Sequence, residues 1–282
     1  MNDIELTQDI AASPERSVPS SEEELWQTLR TEVSRVATRE SVLRSFLELA
    51  VLRHASFGDA LASLLARKLA EPVMPAELLE GLVRGALKDD PAIVEAAVAD
   101  LIATRTRDPA AESYATPFLY YKGFHALEWH RVNHWLWRQR RREMADFIQS
   151  RVSEFFAVDI HPAVPVGRGV FIDHGTGLVV GETAVIGDDV SILQEVTLGG
   201  TGKERGDRHP KVRDGVLLAA GAKVLGNIEI GRGAKVGAGS VVLQDVPPCA
   251  TVAGVPAKIV GWCSEAAAPA LAMDQSLPER EG

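Results

Sequence analysis

The residues best suited to acid–base chemistry and anion binding lie in the second half of the chain. They are Asp159, His161, Asp173, His174, Arg208 and His209. A histidine titrates near neutral pH and can take a proton from a hydroxyl, which is otherwise a poor nucleophile. A carboxylate on the second ring nitrogen would fix the tautomer and stabilise the imidazolium. Asp173 and His174, with Asp159 earlier in the chain, supply these parts, although an ordinary solvent-exposed pair is the competing interpretation.

Arg208 and His209 form a second candidate group, suited to an anionic substrate. A guanidinium presents a planar pair of donors that matches a carboxylate. The alternative is that both residues lie in an exposed turn before Pro210. If both groups are functional, they would suit attack by a small hydroxyl compound on an activated acyl group such as a thioester.

Composition excludes several classes of protein. The 282 residues carry a formal net charge of -9, whereas proteins that bind nucleic acids are usually basic. No run of roughly 18 apolar residues is present, and the start of the chain lacks the apolar core of a signal peptide, so we expect a cytoplasmic protein and no membrane association. The spacing of Cys249 and Cys263 suggests neither a metal site nor a disulfide, and we expect both to be incidental in a reducing compartment.

The first half of the chain has the spacing of helices. After a lead over residues 1–20, predicted to be disordered, apolar residues recur at steps of three and four, as in Leu61, Leu64, Leu65 and Leu69. Prolines separate such segments, and a long aromatic helix is predicted from about 118 to 142. We assign residues 21–157 to an all-α helical domain.

From residue 158 the spacing changes to six. The aliphatic anchors of this repeat are Ile160, Val166, Ile172, Val180, Ile186, Ile192, Leu198, Leu218, Val224, Ile230, Val236 and Val242. A hexapeptide repeat is typical of a left-handed parallel β-helix, in which three units close one coil, and twelve anchors predict roughly four coils. A chance run of strands in a sandwich is the alternative, which five consecutive anchors from Leu218 to Val242 make improbable.

The predicted β-helix covers residues 158–262. The anchors are interrupted between Leu198 and Leu218, where the chain is polar and rich in glycine, so a functional loop is predicted over 199–217. Residues 263–282 are rich in alanine, proline and acids, and predict a flexible tail.

These motifs together resemble the bacterial serine O-acetyltransferase family over residues 22–262. The matching segments are Arg-Thr-Arg-Asp-Pro-Ala at 105–110, Lys-Gly-Phe-His at 122–125, Asp-Ile-His-Pro at 159–162, Asp-His-Gly-Thr-Gly at 173–177, Gly-Glu-Thr-Ala at 181–184, Leu-Gly-Gly-Thr-Gly-Lys at 198–203, Asp-Arg-His-Pro-Lys at 207–211 and Ala-Gly-Val-Pro-Ala at 253–257. Hexapeptide repeats alone indicate only a superfamily, whereas the helical domain and the Asp-Arg-His-Pro loop are much more specific.

The resemblance implies a role for each candidate residue. His174 would be the general base for the serine hydroxyl, and Asp159 would orient it. The implied substrate-binding residues are Asp108 and Asp173 for the ammonium group, and Arg208 and His209 for the carboxylate. The product would be O-acetyl-L-serine, the first intermediate of cysteine synthesis from serine.

The resemblance also implies the co-substrate and the partners. Acetyl-CoA would be consumed in the reaction, with no permanently bound cofactor and no metal. The implied coenzyme A channel consists of Gly200, Thr201, Ala220, Lys235 and Ala238. Family sites lie between neighbouring solenoids of a trimer, and helical domains pair trimers into hexamers. L-cysteine would compete with serine.

Two departures from the family pattern affect these expectations. Leu217 stands where well-studied members carry methionine, beside the inhibitor-sensitive region. The resemblance therefore does not predict how strongly cysteine inhibits this protein. Family tails often end in an isoleucine that enters O-acetylserine sulfhydrylase, whereas this chain ends in Glu281-Gly282. We therefore expect a weak or absent complex with that enzyme.

Three other functions compete with this one. The same fold could acetylate homoserine or a sugar. A γ-class carbonic anhydrase uses a related β-helix with three histidine zinc ligands, but His161, His174 and His209 have the wrong spacing for that family. A non-catalytic scaffold is the last alternative, against which the intact Asp173-His174 pair argues.

Overall fold

The change of apolar spacing at residue 158 corresponds to a change from helices to parallel strands. The structure is a computed structural model that describes residues 18–202, 205–263 and 268–277. A helical domain precedes a three-sided parallel β-helix, which confirms the predicted fold class. The helices are α1 (Glu22–Arg39), α2 (Arg44–Leu47), α3 (Phe57–Leu69), α4 (Ala76–Asp89), α5 (Ala92–Arg107), α6 (Ala115–Tyr120), α7 (Lys122–Arg138), α8 (Arg142–Phe156) and α9 (Pro269–Ala272).

Helix α1 begins where side chains satisfy its free amide groups. Ser21 Oγ accepts from the amide of Glu24 at 3.2 Å, and Ser20 donates through its amide and its hydroxyl to the Glu24 carboxylate. Part of the lead predicted to be disordered therefore belongs to this cap. Residues 1–17 lie outside the described residues.

The single aromatic helix predicted over 118–142 is divided in the structure. Helix α6 ends at Tyr120, and α7 begins at Lys122 after Tyr121 takes an extended conformation. Helix α7 then stops before Arg140, whose φ of 60° lies in the left-handed region. The apolar spacing crosses both breaks, which is why it did not reveal them.

The strands form three sheets that are the faces of the β-helix. They are β1 (Val158–Ile160), β2 (Phe171–Ile172), β3 (Leu178–Val180), β4 (Val185–Ile186), β5 (Ser191–Ile192), β6 (Thr197–Gly199), β7 (Lys211–Val212), β8 (Leu217–Leu218), β9 (Lys223–Leu225), β10 (Glu229–Ile230), β11 (Lys235–Val236), β12 (Val241–Val242), β13 (Ala250–Gly254) and β14 (Ala257–Trp262). The sheets have the orders β1-β3-β6-β9-β12, β4-β7-β10 and β2-β5-β8-β11-β13-β14, with only the last pair antiparallel.

The described residues form five coils, where roughly four were predicted. Two faces each contain five parallel strands, one from every coil. Val212, Val246 and Val252 are further buried anchors. Val212 lies six residues before Leu218 and continues the series into the predicted loop, whereas Val246 follows Val242 by only four residues and shifts Val252 out of step. The loop predicted over 199–217 is accordingly shorter, since β7 and β8 already return to their sheets at Lys211 and Leu217.

A buried ion pair joins the helical domain to the first coil. Asp100 of α5 accepts from Arg131 Nε of α7 at 2.8 Å, and its other oxygen accepts from the amide of Val170 at 2.7 Å. Arg131 also donates to the carbonyl oxygens of Val166 and Gly167 at 3.2 and 2.7 Å. Two helices and the start of the β-helix therefore share one set of hydrogen bonds.

The two cysteines are paired, contrary to the expectation that they are incidental. Strand β14 returns antiparallel to β13, and this brings Cys263 beside Cys249, with Cα atoms 5.0 Å apart and a disulfide between them. Sequence spacing did not indicate the pair because the antiparallel return lies outside the hexapeptide pattern.

Part of the tail predicted to be flexible packs on the β-helix. Ala270 of α9 is buried against Leu193 and Leu217, and its carbonyl accepts from the Ser191 hydroxyl at 2.9 Å. Residues 264–267 and 278–282 lie outside the described residues, and with them the C-terminal end that bears on sulfhydrylase binding. Within the described part of the chain, no helix has both the length and the apolar character needed to cross a membrane.

Replacing Asp100 by alanine should destabilise the protein strongly. The substitution removes the carboxylate that accepts hydrogen bonds from the buried Arg131 guanidinium and leaves only the more distant Glu128 Oε2, 3.6 Å from Nε. Breaking a buried pair in this way costs about 3–5 kcal/mol. The measurement is the urea unfolding midpoint at fixed protein concentration. The matched control is Asp90→Ala, which removes a partly exposed partner of Arg138 at 3.4 Å and should cost less than about 1 kcal/mol. Equal losses in both variants would contradict the assignment of Asp100 as the joint between the domains.

Candidate active site

A cavity of about 360 Å³ lies where the helical domain meets the first coil. It is lined by Asp108, Ala110, Tyr120, Tyr121, Lys122, Gly123, Ile172, Asp173 and His174. Asp108 follows the last residue of α5, and Tyr121 precedes α7. Asp173 and His174 follow β2. The structure thus brings three of the predicted site residues, Asp108, Asp173 and His174, to one cavity.

The backbone at His174 has an uncommon conformation. Its φ is 55°, in the left-handed region that non-glycine residues rarely adopt, and such positions concentrate at functional sites. The side chain is 73 % exposed, so its ring is available to a substrate. The ring Nε2 lies 3.8 Å from Asp173 Oδ1, which is too far for a hydrogen bond.

Close contact between α7 and β2 fixes one wall of the cavity. A Cβ atom added at Gly123 would lie 2.1 Å from the carbonyl oxygen of Ile172, so only glycine allows the helix to approach this near. Ile172 is the residue directly before Asp173. The start of α7 therefore fixes the backbone from which the side chains of Asp173 and His174 extend.

The two carboxylates of the cavity are close enough to influence each other. Burial raises the pKa of the Asp173 carboxyl above its usual range, His174 opposes this rise, and Asp108 adds to it. Asp108 Oδ1 accepts from the amide of Ala110 at 2.8 Å, which orients its carboxylate. Two neighbouring carboxylates are well suited to a cationic group of a substrate, whose charge would relieve their repulsion.

Asp159, the predicted orienting residue, lies in a different environment in the single chain. Its carboxylate accepts from Gln149 Nε2 of α8 at 2.7 Å, and it lines an open groove with Asp146 and Glu154. No described hydrogen bond of Asp159 involves His174. The pairing of Asp159 with His174 thus stays a prediction.

Arg208 and His209 form a second group, separate from the cavity of His174. The Thr183 hydroxyl oxygen accepts from the backbone amides of Arg208 and His209 at 3.0 and 3.1 Å, and lies 2.9 Å from His209 Nδ1. The Arg208 guanidinium donates to the Glu182 carboxylate at 2.9 Å. The turn between β3 and β4, which contains Glu182 and Thr183, therefore holds the end of the functional loop.

His209 is neutral and presents a single donor. Burial, with Arg208 nearby, lowers the pKa of its imidazole. Nδ1 accepts from the amide of Thr183 at 3.2 Å, so the proton lies on Nε2. The ring covers Gly181, where an added Cβ would be 2.1 Å from Nε2. Arg208 and His209 together offer a charged and a neutral donor, as a carboxylate requires.

Sequence reasoning gave no role to Glu182 and Thr183, although both lie in a segment that carried the family resemblance. The Arg208 guanidinium holds the pKa of the Glu182 carboxyl below its usual range. Glu182 contacts Arg208, which lies 26 positions later in the sequence, and hexapeptide spacing does not specify a contact of this kind.

The predicted coenzyme A residues divide between two faces. Gly200 and Thr201 follow β6, whereas Ala220 and Ala238 follow β8 and β11 of another sheet. Ala220 packs against the cluster that contains Leu217 and Ala270, and Ala270 belongs to the C-terminal segment. Lys235 is buried, and its ammonium group donates to Asp274 at 3.1 Å and to the carbonyl of Ser276 at 2.6 Å.

His161 does not line the cavity of His174 but is near enough to Glu182 and Arg208 for their charges to affect the pKa of its imidazole, which burial lowers. Its Nδ1 accepts from the amide of Ala163 at 3.1 Å, and its ring packs against Trp137. Across residues 18–202, 205–263 and 268–277, no three His, Cys, Asp or Glu side chains converge as metal ligands would.

Comparison with known proteins assigns this arrangement to one family. Residues 25–129 match the family model described as serine acetyltransferase, N-terminal, and residues 209–244 match that of the bacterial transferase hexapeptide. The serine acetyltransferase of Salmonella typhimurium is 57 % identical over 245 residues, which are 86 % of this chain and 90 % of that protein. The chain belongs to the serine acetyltransferase family. The Escherichia coli K12 member is 56 % identical over 251 residues, 89 % of this chain and 92 % of its own.

Solved serine acetyltransferases have the same fold. One in complex with cysteine has a TM-score of 0.89 and 53 % identity, covering 91 % of this chain and 99 % of its own. The Brucella abortus enzyme in complex with coenzyme A has a TM-score of 0.84 and 48 % identity, covering 85 % and 96 %. The Neisseria gonorrhoeae enzyme in complex with serine has a TM-score of 0.82 and 52 % identity, covering 83 % and 96 %.

Thr183 should control serine binding in this serine acetyltransferase. Thr183→Val keeps the shape of the side chain but removes the oxygen that holds Arg208 and His209, at roughly 1 kcal/mol for each lost hydrogen bond. We expect the KM for serine to rise about tenfold. Steady-state kinetics measure this, with Thr183→Ser, which keeps the hydroxyl, as the matched control. Equal KM values for the substrate L-serine in Thr183→Val and Thr183→Ser would contradict the prediction.

Proposed function

We propose that this chain transfers the acetyl group of acetyl-CoA to the hydroxyl of L-serine, giving O-acetyl-L-serine and CoA, the first step of cysteine synthesis from serine. The observation that carries the proposal is the exposed His174 ring at a cavity that also contains Asp108 and Asp173. A base beside two carboxylates suits a substrate with a hydroxyl and an ammonium group.

The proposed chemistry needs one base and no resident cofactor. His174 takes the proton of the serine hydroxyl while the oxygen attacks the thioester carbonyl of acetyl-CoA. The tetrahedral intermediate then collapses, the carbon–sulfur bond breaks, and the departing sulfur receives the proton from the imidazolium. Asp159 is proposed to orient the imidazole during this transfer through Oδ2, since its Oδ1 accepts from Gln149.

Substrate recognition is proposed to divide by charge. Asp108 and Asp173 bind the ammonium group of serine, and Arg208 and His209 bind its carboxylate. Acetyl-CoA is the co-substrate, and its proposed channel contains Gly200, Thr201, Ala220, Lys235 and Ala238. Support for this co-substrate comes from the related enzyme in complex with coenzyme A.

We further propose that the site is completed between subunits of a trimer, with hexamers formed through the helical domains. The supporting observation is that Arg208 and His209 do not line the described cavity that contains His174. A head-to-tail interface of a cyclic trimer would bring the two groups together. The cytoplasmic location and the weak sulfhydrylase complex stay predictions.

The direct test follows loss of thioester absorbance with acetyl-CoA and L-serine. Wild-type protein should consume acetyl-CoA with serine, and His174→Ala should reduce kcat about a thousandfold because no base remains. His54→Gln is the matched control, since His54 is buried in the helical domain, where its Nε2 contacts the Leu49 carbonyl at 3.0 Å. L-cysteine should raise the serine KM without lowering kcat, as a competitor with the same charged groups does.

The same assay separates the alternatives. Turnover with homoserine or a sugar but not with serine would replace the proposed acceptor. Undiminished turnover in His174→Ala would exclude its role as base. Inhibition by cysteine that is competitive with acetyl-CoA instead of serine would contradict the shared site.

Two inactive variants should restore each other if the site is shared between subunits. In randomly mixed trimers of His174→Ala and Arg208→Ala, about a quarter of the interfaces regain both wild-type residues. Co-expression should therefore give about a quarter of wild-type activity at low serine concentration, against near-zero activity for each variant alone. The control co-expresses His174→Ala with His174→Asn, where no interface is restored. Activity no greater than the sum of the separate variants would show that one chain holds the whole site.

A further inference from the structure

Tyr121 lies in the candidate active site without a role in the proposed chemistry. It is the residue between α6 and α7, and its side chain lines the cavity with Asp108, Asp173 and His174. The backbone is held on both sides, since the Tyr121 amide donates to the Pro117 carbonyl and its own carbonyl accepts from the His125 amide, each at 3.1 Å. The side chain therefore extends from a fixed position.

We propose that Tyr121 is a positioning residue for serine binding, which acts by donating a hydrogen bond from its hydroxyl to the Asp108 carboxylate. The inference rests on the proposed function, in which Asp108 binds the substrate ammonium group. Tyr121 itself needs no contact with the reacting atoms.

The surroundings of Asp108 favour this role. Its carboxylate has one fixed donor on its own side, the amide of Ala110 at 2.8 Å from Oδ1. Tyr121 lines the same cavity directly before α7, and its phenol interacts with the Asp108 carboxyl, which contributes to the raised pKa of Tyr121. A donor from Tyr121, added to the amide of Ala110, would restrict rotation of the carboxylate before substrate arrives.

The chemistry of a phenol is also suited to this position. Burial, the hydrogen bond to Asp108 and the charges of Asp108 and Asp173 together raise the pKa of Tyr121 to about 12. The hydroxyl thus stays protonated and remains a donor at any pH at which the enzyme would be assayed.

A neutral donor leaves the charge of the carboxylate available. A cation in the place of Tyr121 would neutralise Asp108 and weaken its attraction for an ammonium group. The neighbouring cation, Lys122, donates to the Thr176 hydroxyl instead. The cavity therefore orients Asp108 without cancelling its negative charge.

Tyr121→Phe should raise the KM for serine about tenfold, with kcat within roughly twofold of wild type and the KM for acetyl-CoA unchanged. The inhibition constant of L-cysteine should rise by a similar factor, because cysteine carries the same ammonium group. The matched control is Tyr114→Phe. Tyr114 directly precedes α6, is buried in the helical domain and is not among the residues that line the cavity, so loss of its hydroxyl should leave all three constants unchanged.

Asp108→Asn, alone and combined with Tyr121→Phe, separates this inference from the proposed function. If Tyr121 acts through Asp108, the double variant should have the serine KM of Asp108→Asn alone. An unchanged serine KM in Asp108→Asn would overturn the proposed ammonium site. A raised KM in Asp108→Asn with a normal KM in Tyr121→Phe would overturn only the inference. A fall in kcat and in the unfolding midpoint of Tyr121→Phe, without a change in serine KM, would show a merely structural role and also overturn it.

Discussion

The buried pair of Asp100 and Arg131 is the interaction on which the geometry of the site depends. The cavity takes Asp108 and Tyr121 from helices and Asp173 and His174 from the first coil, so its shape requires that these two parts keep a fixed relation. Packing of apolar side chains favours contact between the domains but does not define one orientation. Directional hydrogen bonds from one guanidinium to a carboxylate and two backbone carbonyls define it.

That joint also explains why glycine is required where α7 meets the β-helix. Arg131 fixes the middle of α7 against the first coil, and the start of the same helix must then pass over Ile172. A side chain at Gly123 would move the helix away and widen the cavity. The ion pair and the glycine therefore act on the same helix, one by attraction and the other by the absence of a side chain.

The fold was predictable wherever a residue's environment repeats. An anchor inside a β-helix is surrounded by the anchors of the adjacent coils, so aliphatic residues at intervals of six suffice to indicate the architecture. Features that interrupt the repeat were not predictable in this way: the fifth coil, which begins after a step of four residues at Val246, and the antiparallel β14 that pairs Cys249 with Cys263.

The same distinction applies to the site. Family motifs indicated which residues are proposed to carry chemistry, because those residue types are needed wherever the reaction occurs. They did not indicate that Thr183 holds Arg208 and His209, or that Tyr121 faces Asp108, since each contact joins segments whose spacing follows no rule.

The arrangement of charges bears on which hydroxyl compound is accepted. A cavity with two carboxylates and a separate group with a guanidinium and a neutral imidazole are complementary to the two ends of an amino acid. Charge alone does not distinguish serine from homoserine, because both carry the same ammonium and carboxylate groups. One additional methylene in a binding site changes selectivity only by about 1–3 kcal/mol. In the proposed mechanism, selectivity beyond this amount would come from the distance between His174 and the acceptor oxygen. If the two groups meet at a subunit interface, that distance is set by how the solenoids pack, and the choice of acceptor is a property of the assembly as much as of the chain.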